Sequence, residues 1–140
     1  MPFVHDAISN EIRLISLEKQ TKKYSHPHDS YLRQKFSFIG NFAPASNQCD
    51  VVVAEIYTTM HKPNEIRRFY SPILIINPHN NPSDHEVTLF MLQDEKEVNT
   101  MKQWNPELSE KITQKTINDT HAYILLTEER YPPNYDLRCH

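Results

Sequence analysis

One glycine, Gly40, stands in a chain of 140 residues. Loops that cradle phosphate use several glycines, because the backbone must approach the pyrophosphate closely. Neither G-x-G-x-x-G nor G-x-x-x-x-G-K-[ST] can be written from this sequence. A glycine-built nucleotide site is excluded on that ground, and no cofactor is expected. Ten prolines, with Asn, Asp and Ser, are left to shape the turns.

The apolar stretches between those turns read mostly as strands. Residues 51–60 are β-branched and aromatic, without a breaker and apolar on both parities, which predicts a central strand covered on both sides. Residues 31–42, 66–77, 87–92 and 122–126 complete a set of about five strands. In the third strand of that order, Pro72 places part of 66–77 at an edge or bulge. Val53, Ile56, Ile75 and Leu89 are expected in the core.

Asp6 is placed to cap a helix over 7–23. Ile8, Ile12 and Ile15 recur at helical spacing, and Lys19, Lys22 and Lys23 crowd the C-terminal end. Asp94 is placed to cap a second helix through Trp104, with Val98, Met101 and Trp104 on its inner side. Asn105-Pro106 signals a further helical stretch toward 118. The expectation is an α+β fold: an antiparallel sheet of about five strands, an N-terminal helix and a helical segment before the last strand. Hairpin-length turns predict an up-and-down meander with helices on one face. Residues 1–127 form the domain and 128–140 an extended tail.

The net charge is −3, with +2 over residues 1–70 and −5 over 71–140. Nucleic acid is not an expected partner, since that calls for a strongly basic stripe. Lys19, Lys22, Lys23, Arg33 and Lys35 make at most a modest patch. The N-terminus lacks a basic region followed by a long apolar run, and no run approaches the ~20 residues that span a bilayer. Cys49 and Cys139 are expected as two thiols in a reducing compartment, which places the protein in the cytoplasm.

Two loops concentrate histidine and carboxylate. One is His26-Pro27-His28-Asp29, which the meander puts beside His61; the other holds His79, Asp84 and His85. Imidazole with carboxylate suits zinc, iron or manganese. A metal-dependent hydrolase using His26, His28, Asp29 and His61 is therefore one functional reading. The meander sends the two histidine loops to opposite ends of the sheet.

Asp50 and Glu55, in Asp-Val-Val-Val-Ala-Glu-Ile-Tyr, resemble the metal-binding strand of the PD-(D/E)xK nuclease fold. The resemblance implies a metal-dependent nuclease, with lysine two residues beyond the glutamate. This chain has Tyr57 there. Residues Pro132, Pro133 and Tyr135 form a P-P-x-Y sequence similar to ligands of WW domains, which accept polyproline II segments. Taken together, the sequence predicts a non-catalytic protein–protein interaction module of the accessory, adaptor or inhibitor type that viruses and pathogens encode. Its alternatives are the hydrolase and a degenerate nuclease fold.

Overall fold

The computed structural model describes residues 2–40, 49–74, 85–104, 121–131 and 137–139. The elements run α1 (Pro2–Thr21), β1 (Ser30–Gly40), β2 (Cys49–Thr59), α2 (Pro63–Tyr70), β3 (His85–Met91), α3 (Glu95–Trp104) and β4 (His121–Tyr131). A short 3-10 turn, Leu137–Cys139, follows. The class is α+β, as the sequence indicates. Among the described residues the sheet has four strands, not about five.

The missing strand is α2. Lys62 keeps an extended backbone, and Pro63 opens the helix where no amide partner is needed. Ile66 and Tyr70, four residues apart, are its buried pair. Their burial, worth roughly 1.5–3 kcal/mol per large apolar side chain, outweighs the strand-like look of the sequence. Pro72 lies in the turn that follows. Asp94 caps α3 as expected, its Oδ1 accepting from the amides of Lys96 and Glu97 at 3.0 and 3.3 Å.

The sheet is antiparallel throughout, in the order β1-β2-β4-β3. It is not a meander, because β4 is inserted between β2 and β3. That insertion makes β2 and β4 the two central strands. All eleven residues of β2 are buried. β4 also runs further than the sequence suggests: Glu129, Arg130 and Tyr131 pair with Val51, Asp50 and Cys49. Residues 128–131 are thus sheet, not tail. A bulge between Leu32 and Gln34 breaks the β1 ladder and moves Leu32 opposite Tyr57.

Helices cover both faces, not one. On one face Val52, Ala54, Ile56, Phe90, Ile124 and Leu126 pack with Val98 and Met101 of α3. On the other, Val51 and Val53 meet Leu17 and Leu14 of α1. Tyr57, Leu89, Tyr123 and Leu125 meet Ile66 and Tyr70 of α2 on that same face. Val53, Ile56 and Leu89 are buried as expected; Ile75, the 106–118 stretch and the Trp104 side chain lie outside the described residues. Arg67 of α2 bonds Glu97 of α3, joining the two layers.

The cysteines are bonded to each other. Cys49 at the start of β2 and Cys139 form a disulfide across 90 residues of sequence. Both are buried. The expected pair of thiols is corrected, and the argument for a reducing compartment goes with it.

Candidate functional site

His26 leaves the α1–β1 loop to lie against the α2 side of the sheet. Its Nε2 is 3.0 Å from the Tyr57 hydroxyl and its Nδ1 is 2.8 Å from the Tyr70 hydroxyl. Tyr57 donates to Glu55 Oε2 at 3.1 Å. The hydroxyls of Tyr70 and Tyr123 are 2.9 Å apart. One proton arrangement satisfies this chain. Tyr57 spends its hydrogen on Glu55, so it must accept from His26 Nε2–H. Neutral His26 then accepts at Nδ1 from Tyr70, and Tyr70 accepts from Tyr123.

Burial raises the pKa of all three tyrosines and lowers that of His26. It also raises that of Glu55, against the hydrogen bond from Tyr57 and the charge of Lys35. The hydroxyls therefore stay protonated and the imidazole stays neutral. The lone pair of His26 is held by Tyr70. Such a network fixes a loop.

His61 stands nearby in a different state. Its Nδ1 is 2.8 Å from Glu65 Oε2, and its Nε2 is 2.5 Å from the carbonyl oxygen of His28. Both neighbours are acceptors, so both ring nitrogens must carry protons. The Glu65 hydrogen bond and the His28 carbonyl raise its pKa. Asp29 holds φ of 65° in the left-handed region, where Asp is tolerated. The side chains of His28 and Asp29 lie 3.6 Å apart and point to solvent. Among the described residues no three His, Cys, Asp or Glu groups gather as a metal would require. The His26 ring bonds Tyr57 and Tyr70, whereas His61 bonds Glu65 and the His28 carbonyl, so the rings do not converge on one point.

Two concavities flank Phe69 beside this loop. One, of about 350 Å³, lies between Tyr24 and Tyr70; the other, of about 200 Å³, between Pro27 and His61. His85 begins β3 at the far end of the sheet, opposite Glu129. The separation from the His26 loop holds for His85; His79 and Asp84 lie outside the described residues.

Asp50 and Glu55 fall on opposite faces of β2. Asp50 is opposite Arg130, on the α3 face, while Glu55 joins Tyr57 on the other. Five residues apart on a strand, two side chains alternate to opposite sides, so this pair does not build one metal site. Pro132, Pro133 and Tyr135 lie outside the described residues. Tyr131 is a β4 residue whose ring lies 3.9 Å under the Arg13 guanidinium.

The outer side of α1 is the feature that helical spacing alone leaves open. Val4, Ile8, Ile12 and Ile15 are 48%, 56%, 61% and 52% exposed. Asn10, Leu17 and Thr21 are fully buried beneath. Asn10 Nδ2 donates to Cys49 Sγ at 3.3 Å. Helical spacing identified the helix, but the side turned to the sheet is the one carrying Asn10, Leu14 and Leu17. The isoleucine ridge faces outward.

No family model, no curated protein and no solved structure matches the chain. No helix among the described residues is long and apolar enough to cross a membrane.

Proposed function

We propose that this domain acts by binding another protein, without catalysis, through the outer face of α1. The observation that carries the reading is the ridge of Val4, Ile8, Ile12 and Ile15, exposed in line on a helix whose opposite side is already packed. Contiguous exposed apolar surface of this kind favours a partner. The engaged nitrogens of His26 and the protonated tyrosines support the non-catalytic side of the reading. The Cys49–Cys139 bond favours an oxidising compartment over the cytoplasm.

The test is co-purification from cells that express the protein naturally. Ile8→Glu with Ile12→Glu should remove a partner that the parent chain retains, with an unchanged melting temperature. Retention of every partner by the double variant contradicts the proposal.

A further inference from the structure

The ridge of α1 does not end in neutral surface. At 100° per residue, Val4, Ile8, Ile12 and Ile15 fall within an arc of about 80°. Lys19 and Lys22 fall in the same arc, one turn further on, and both are exposed. The Lys22 amide still bonds the Glu18 carbonyl, so the helical direction persists to that point. Lys23 is exposed beside them. Lys35 of β1 lies elsewhere, its Nζ 3.5 Å from Oγ1 of buried Thr21 on the sheet-facing side of α1. Lys19 and Lys22, with Lys23 beside them, thus follow where the apolar ridge stops. Arg33 does not join them, since it bonds Thr58 on the opposite face.

The carboxylates near the ridge are engaged elsewhere. Glu11 bonds Arg138, Glu18 accepts from Ser37 at 3.0 Å, and Asp6 pairs with His5 at 3.6 Å. We infer that the partner of this face is an amphipathic helix whose apolar ridge ends in carboxylates, which seat on Lys19 and Lys22. This rests on the protein-binding reading above and specifies its partner.

Three arguments favour that occupant. Val4, Ile8 and Ile12 form a ridge of fourth residues, the kind that packs into a groove of another helix. Four half-exposed aliphatic side chains fall short of the roughly 800 Å² per partner of a stable interface, and the exposed surface that continues their line along the axis is that of Lys19 and Lys22. A membrane surface fits less well. Helix α1 itself carries Asp6, Glu11 and Glu18 against Arg13 and Lys19, whereas interfacial helices are rich in Lys and Arg on the polar face.

Two synthetic helical peptides with the same leucine ridge test this, one ending in three glutamates and the other in three lysines. Fluorescence anisotropy on the whole chain at low salt should show the acidic peptide binding at least tenfold tighter. Lys19→Glu with Lys22→Glu should reverse that preference, and Ile8→Glu should remove binding of both. Equal affinities that are still lost in Ile8→Glu overturn the charge assignment alone. Peptide binding that survives Ile8→Glu overturns the use of this face as well. No binding of either peptide, binding to phosphatidylserine vesicles only, or a concentration-dependent dimer by sedimentation each overturns the partner named here.

Discussion

Ile15 and Leu17 are two residues apart on α1 and face opposite ways. Leu17 is fully buried against Val51 and Val53, while Ile15 is 52% exposed. Two residues turn a helix by about 200°, so one helix serves the core and offers a second apolar surface at once. Leu17→Ala should cost about 2–5 kcal/mol through lost burial and a residual cavity. Ile15→Ala should stay within about 0.5 kcal/mol. Urea denaturation of the two variants checks the pair; similar losses would mean the helix is seated the other way round.

The same helix shows how far the sequence could be read. Ile8, Ile12 and Ile15 reveal a helix by their spacing, because periodicity follows from backbone geometry. Which side it buries does not follow, because that depends on β2 and on Cys49, to which Asn10 bonds. In α2 the signal was present but outweighed: Pro63 at the helix start and Ile66 with Tyr70 four apart. The insertion of β4 between β2 and β3 is a long-range pairing that leaves no local trace. The disulfide, across 90 residues, leaves none either. The opposite-face placement of Asp50 and Glu55 was legible, since an odd spacing on a strand separates two side chains.

The loop over residues 24–29 should be held best near neutral pH. Burial holds His26 below the ordinary imidazole value, so the unfolded chain takes up a proton that the folded one refuses. Its contribution is complete above about 6.5 and is lost as pH falls. His61 is raised, so its contribution is complete below about 6.5 and is lost as pH rises through the folded value. Proton NMR should show His26 titrating below His61. Relative to the parent, His26→Gln should flatten the acid limb of the stability profile and His61→Gln the alkaline limb. The reverse order of titration would rule out the proton arrangement described.

Tyr70 is the joint of the buried network, bonded to His26 and facing Tyr123. Tyr70→Phe removes the hydroxyl and leaves buried polar groups on both sides without it. The expected loss is about 1–3 kcal/mol, and the His26 titration should move as well. A change within error by thermal denaturation would mean that the hydroxyl contributes nothing net.

The disulfide closes a long loop, so removing it relaxes the unfolded chain. Cys139→Ser should cost about 2–5 kcal/mol. Mass spectrometry of the unreduced parent should find residues 49 and 139 linked; two alkylatable thiols in protein from its native source would contradict both the bond and the compartment it favours.

The central claim is that the outer face of α1 meets a partner, and scanning that helix with a photo-crosslinking residue tests it most directly. One position at a time is replaced along α1 in the natural host, and covalent adducts are mapped. The account predicts adducts at positions 4, 8, 12 and 15, extending to 19, with none at 9, 16 or 20. Adducts without helical periodicity, or confined to 9, 16 and 20, would contradict it.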